Sequence, residues 1–130
     1  MDYIPKYIIK RMIKPDGVKK VEGGVEIQIV NIVSAIEITD QVPDNALDYV
    51  NADLDGKPVP KDVIANVKIR FEDGEFLITD TRKAKGKILP VGGVLRIFVP
   101  VELKVGEEHT FEIKLKEETR FNIQVTRTIV

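Results

Sequence analysis

Apolar and polar residues alternate over the last quarter of this chain. Phe111, Ile113 and Leu115 are separated by Glu112 and Lys114, and Phe121, Ile123 and Val125 by Asn122 and Gln124. A period of two sends one set of side chains into a core and the other into water, so His109–Leu115 and Arg120–Ile129 are expected to be adjacent antiparallel strands. Shorter runs rich in isoleucine and valine predict further strands at about 7–13, 18–21, 25–33, 48–55, 65–71, 75–79 and 94–99. Turn signals fall between them: Asp16-Gly17, Gly23-Gly24, Asp55-Gly56, Asp73-Gly74, Gly86, Gly92-Gly93 and Gly106. The spacing predicts one all-β domain over residues 1–130, an antiparallel β-sandwich that is immunoglobulin-like in the broad sense.

Two segments fit more than one period. Ile4, Ile8, Ile9, Met12 and Ile13 have helical spacing, whereas Tyr7, Ile9 and Ile13 also suit a strand, and the strand is the favoured reading. Lys61–Asn66 follows Pro58 and Pro60 and suits a single helical turn. Val25–Ile29 alternates cleanly until Val30, Ile32 and Val33 break phase, which predicts a bulge or a strand buried on both faces. Val94–Val99 is nearly all apolar, so its second face must be covered by chain or by a partner. Phe98 is therefore a candidate interface residue, with Tyr7 and Ile9 of the N-terminal strand.

Lysine and arginine total 20 against 21 aspartate and glutamate, a net charge of -1, so no global field favours nucleic acid. Charge is unevenly placed, however. Glu37, Asp40, Asp44, Asp48, Asp53 and Asp55 occur in a stretch without lysine or arginine, and Arg82, Lys83, Lys85 and Lys87 form a basic loop. Complementary patches set the register of association, which points to a protein partner or a homo-oligomer and adds Arg82, Lys83 and Lys85 to the interface candidates. There is no signal peptide pattern and no apolar run near the roughly 20 residues a membrane helix needs, so a cytoplasmic protein without a membrane association is expected. Abundant lysine and glutamate without cysteine suit a thermophilic source.

The inventory of reactive groups is short: one histidine (His109), one serine (Ser34), no cysteine and no tryptophan. A serine nucleophile needs an adjacent base, so Ser34 and His109 are the only such pair available, and His109 is the sole catalytic candidate. Zinc of the usual kinds lacks ligands. Asn51, Asp53 and Asp55 share a strand face, but Asp53-Leu54-Asp55-Gly56 lacks a calcium loop's third acid and closing glutamate, so no metal is expected and Asp53 and Asp55 are only candidates. Glu72, Asp73, Glu75 and Asp80 are expected to be solvated turn acids rather than a glycosidase pair. Gly23-Gly24 and Gly92-Gly93 lack a phosphate-loop frame, and no cofactor is implied.

Asp53-Leu54-Asp55-Gly56-Lys57-Pro58-Val59-Pro60, then Gly93–Val99 and Leu103-Lys104-Val105-Gly106-Glu107-Glu108-His109, together with Lys6-Tyr7-Ile8-Ile9, form a pattern that resembles the small β-subunit of C-glycoside deglycosidases. The resemblance implies a sandwich subunit packed against a larger, metal-dependent, barrel-type subunit that carries most catalytic groups. That family's aromatic-Arg-Gly segment has no counterpart around 34–39. The expected role is a non-catalytic structural or accessory subunit. One alternative is a sugar or C-glycoside-processing site completed by the partner, with Asp53, Asp55 and His109 as contributors. Another is a carbohydrate-binding module using Tyr3, Tyr7 or Tyr49, which the absence of tryptophan disfavours.

Overall fold

The computed structural model describes residues 6–37, 45–72, 74–115 and 118–130. In chain order the elements are α1 (Lys6–Met12), β1 (Val18–Val21), β2 (Gly24–Val30), β3 (Ile36–Glu37), β4 (Val50–Leu54), β5 (Lys57–Pro58), α2 (Lys61–Ile64), β6 (Lys68–Phe71), β7 (Gly74–Leu77), a 3-10 helix (Ile78–Ala84), β8 (Ile88–Leu89), β9 (Val94–Val99), β10 (Glu108–Leu115) and β11 (Glu118–Thr128). Five strands form one antiparallel sheet in the order β1-β2-β9-β6-β7, and four form another in the order β11-β10-β4-β5. The expected hairpin is present, with Phe111 opposite Val125 and Ile113 opposite Ile123.

The main core lies between the sheets. Val25, Ile27 and Ile29 of β2 meet Phe111 of β10 and Val125 of β11, and Val18, Leu103 and Ile129 complete the cluster. The protein is thus an all-β sandwich of two antiparallel sheets. The apolar strand Val94–Val99 is the middle strand of the larger sheet, between β2 and β6, and is half-buried along its whole length. Beyond β11 the chain changes sheets. Val130 N–H donates to the Val18 carbonyl (3.1 Å), and Lys20 N–H donates to the Val130 carbonyl (2.8 Å), so the last residues cover the outer edge of β1.

The favoured strand at 7–13 is corrected to a helix. A strand would put the consecutive Met12 and Ile13 on opposite faces, yet both are buried, with Ile8 half-buried one turn before Met12. Seven residues make too short a helix to persist alone, so tertiary contacts must hold it. Arg127 of β11 supplies one: its guanidinium donates to the carbonyls of Lys10 (2.9 Å) and Ile13 at the helix end, and to that of Lys14 (3.1 Å), which also accepts from Gly17 N–H. Lys10 and Arg11 in the last turn also suit the negative end of the helix dipole. Arg127→Ala is expected to cost about 1.5–3 kcal/mol, the range for hydrogen bonds to a charged group. Arg127→Lys, which cannot span several carbonyls at once, is expected to recover less than half of that. Urea unfolding midpoints check both.

Other boundaries moved for local reasons. The short helical turn after Pro60 is α2, and Val67 is tied back by Ile78 N–H donating to its carbonyl. The predicted strand 75–79 stops at Leu77 because Ile78 begins the 3-10 helix, where Ile78, Thr81 and Ala84 are buried. The predicted strand 25–33 stops at Val30, and Asn31 turns the chain away.

Candidate functional site

The hairpin between β4 and β5 places the first candidate residue. Leu54 pairs with Lys57, leaving Asp55 and Gly56 as a two-residue turn with φ of 54° and 81°. Positive φ at both positions defines a type I′ turn, for which Asp-Gly is a favoured sequence. Two hydrogen bonds, one between backbones and one to the Asp55 side chain, join this turn to β10. Asp55 N–H donates to the Thr110 carbonyl (2.8 Å), and Thr110 N–H donates to Asp55 Oδ1 (2.8 Å).

The remaining carboxylate oxygen, Asp55 Oδ2, lies 2.6 Å from His109 Nδ1. On the other side of the ring, Glu107 Oε1 is 3.5 Å from Nε2, a buried nitrogen with no hydrogen bond. The His109 side chain is only 15% exposed. Its bond to Asp55 raises its pKa, burial opposes that, and Glu107 adds to the rise. The same bond, helped by the Thr110 amide, holds the Asp55 carboxyl below the usual carboxylate range. The fold thus brings together two candidates that stand 54 residues apart.

Asp53 belongs elsewhere. It faces Glu112 across the strand pair, and Lys114 bridges the two at 3.6 and 3.2 Å. Those carboxylates, Glu112 foremost, raise the Lys114 pKa. Among the described residues no group of three or more His, Cys, Asp or Glu is arranged to hold a metal ion. The polar partners of His109 are Asp55 and Glu107, while Ser34 gives its carbonyl to Asn31.

Phe98 shares a cross-strand register with Glu26 and Lys68, and the Lys68 ammonium sits 5.9 Å from its ring centroid. A cation therefore covers part of the apolar surface that the sequence left unaccounted for. Arg82 and Lys83 are exposed but both pair with Asp80, at 2.9 and 3.1 Å, and Lys83 foremost lowers the Asp80 pKa. Lys85 follows the 3-10 helix, its N–H donating to the Arg82 carbonyl. Glu75 pairs with Arg70 (3.1 Å). Tyr49 packs against the core cluster built on Ala46, Ile64, Val67 and Ile78. The side chains of Tyr7 and Ile9, and all of Tyr3, Asp40, Asp44 and Asp73, lie outside the described residues.

One polar residue that the sequence reading passed over organises an end of the sandwich. Asn31 is fully buried (0% exposed). Its Nδ2 donates to the carbonyls of Ser34 (2.8 Å), Leu89 (3.0 Å) and Pro90 (3.3 Å), and its Oδ1 accepts from Val33 N–H (3.2 Å). Its own backbone bonds Gly92 and Gly93. The segments stitched together this way, β8 among them, carry Ile32, Val33, Ile88 and Val91, which are 40%, 42%, 58% and 61% exposed. A shallow pocket of about 290 Å³ adjoins them, lined by Ile88, Leu89, Pro90 and Val94 with Glu72 and Lys87. The available signal was an amide side chain at the point where the alternation Val25–Ile29 fails.

No family model matches the chain, and no curated protein is similar to it at a significant level. Fold and site define a class: an antiparallel β-sandwich with a half-buried histidine bonded to an exposed aspartate at one turn, and an apolar rim around Asn31. Among the described residues no helix is long and apolar enough to cross a membrane.

Proposed function

We propose that this chain is a non-catalytic structural or accessory β-sandwich subunit, assembling with itself or with a larger catalytic protein. One observation carries the reading: four large aliphatic side chains, Ile32, Val33, Ile88 and Val91, stand exposed on segments, β8 among them, whose backbone a fully buried asparagine ties together. Exposed aliphatic side chains gathered around one ordered asparagine suit a binding surface, and a pre-ordered one loses less entropy on association. The partner's matching surface would be aliphatic, in line with the accessory role that the resemblance to C-glycoside deglycosidase β-subunits implies.

The test is the size of the complex. Sedimentation velocity of the wild-type protein, alone and with its co-purified stoichiometric partner, is expected to show an assembly. Ile88→Asp/Val91→Asp is expected to abolish it while keeping the wild-type unfolding midpoint, because both side chains are already in water. A wild-type protein that stays monomeric and purifies without a stoichiometric partner at native abundance overturns the proposal.

A second reading has its own support in the meeting of Asp55 and His109. In it, the pair contributes to a sugar or C-glycoside-processing site completed by the partner. His109→Ala leaving the activity of the reconstituted complex unchanged would remove it.

A further inference from the structure

The His109 ring lies between two turns. Asp55 belongs to the hairpin between β4 and β5, and Glu107 to the turn that leads into β10. Glu107 also holds the end of the chain. Its carbonyl accepts from Ile129 N–H (2.9 Å), while Gly106 N–H donates to the Ile129 carbonyl (2.8 Å). Ile129 is 1% exposed, and Val130 beyond it bonds Val18 and Lys20 on the edge of β1.

We infer that His109 is a proton-operated clasp on the C-terminal segment: protonation fastens the Glu107 turn, and deprotonation loosens Ile129 and Val130 from the edge of β1. In the charged ring both nitrogens carry hydrogens, one directed to Asp55 and the other toward Glu107. In the neutral ring Nδ1–H keeps its bond to Asp55, so Nε2 turns a lone pair toward the Glu107 carboxylate 3.5 Å away. Attraction becomes repulsion on the Glu107 side alone. An uncovered β1 would present unpaired backbone groups to which an extended segment of another chain can add.

The other groups around the ring are accounted for. From the β4–β5 hairpin, Lys57 acts on Asp55 at longer range. Glu107 Oε1 also accepts from Lys104 N–H (3.2 Å). From β11, Arg127 is the cross-strand neighbour of His109, but its guanidinium donates to helix carbonyls. Because the folded ring holds its proton more tightly than the ordinary value of 6.5, its stabilising effect is complete below that value and is lost as pH rises through the raised one. Asp55 behaves oppositely: its effect is present above 3.8 and is lost as pH falls through its lowered value.

The sequence has one histidine, so its imidazole gives a single Hε1 NMR resonance whose titration reads the clasp directly. Amide exchange of Lys20, Ile129 and Val130, corrected for intrinsic rates, is measured from pH 5.5 to 8.5 beside that of Ile27 in the core. Protection of the first three is expected to fall about two- to fivefold as the ring titrates, the scale of a partly exposed ion pair, while Ile27 holds steady. Glu107→Gln and His109→Asn, the second keeping a donor near Asp55, are each expected to flatten the step. A step that persists in either variant, or wild-type protection that follows Ile27, overturns the inference. The test makes no use of the assembly proposed above, and either can fail without the other.

Discussion

Gly24→Ala is expected to destabilise the protein by about 3 kcal/mol or more, at the upper end of what overpacking costs. Gly24 opens β2, and a Cβ there would lie 2.1 Å from the Val99 carbonyl oxygen and 3.0 Å from Pro100 Cα. Both obstacles are backbone, so no side chain can rotate aside. Relief requires β2 to move away from β9 where Val25 pairs with Val99, and Val25 is fully buried (0% exposed) in the main core. The cause is contact rather than torsion: the residue is glycine because another strand occupies the space of its side chain. A urea midpoint within about 1 kcal/mol of wild type would show that the sheet can spread there at little cost.

Asn31→Asp is expected to be worse than Asn31→Leu at pH 7, although aspartate is the closer match in shape. Leucine leaves the carbonyls of Ser34, Leu89 and Pro90 without their donor, at about 1–3 kcal/mol for each group that stays buried and unpaired. Aspartate does the same and also aims a buried negative charge at those oxygens, which raises its pKa in the folded state. Above the ordinary carboxyl range, near 4, the Asp variant must therefore bind a proton or carry the charge unpaired. Its deficit relative to Leu is expected to exceed about 1 kcal/mol at pH 7 and to shrink as the pH falls toward 4. Chemical denaturation at the two pH values checks this narrowing, and equal midpoints at pH 7 would contradict it.

Elements with a long, regular pattern were legible. Val94–Val99 has the expected bounds because turn glycines precede it and Pro100 follows, and the closing hairpin lies within two residues of its expected bounds because its alternation covers both strands. The turn Asp55-Gly56 was readable from its turn chemistry. The N-terminal helix was misassigned because Ile9 and Ile13 satisfy both periods, and what decides between them is Arg127, more than a hundred residues away. The pairing of β3 with β8 was invisible, since two residues on each strand carry no period.

The candidate site was half legible for a related reason. Asp55 and His109 were each selected for their chemistry, but their meeting depends on the register that sets Leu54 opposite Phe111. Asn31 was passed over because its partners are main-chain carbonyls, which every residue has and no side-chain pattern announces. The apolar rim is hidden for the same reason: Ile32 and Val33 continue the apolar run of β2 and read as buried strand residues, but the chain leaves the sheet at Asn31 and both stand exposed.

The cap on α1 constrains the order in which the molecule can be completed. During synthesis the carbonyl of Lys10 emerges 117 residues before the guanidinium that receives it. Until then Met12 and Ile13 can meet only the early part of their cluster, Val18 and the β2 residues Val25, Ile27 and Ile29, without Phe111, Val125 and Ile129 to close it. A nascent chain stopped before β11 would therefore leave this N-terminal segment exposed to chaperones and proteases, whatever the state of the strands between.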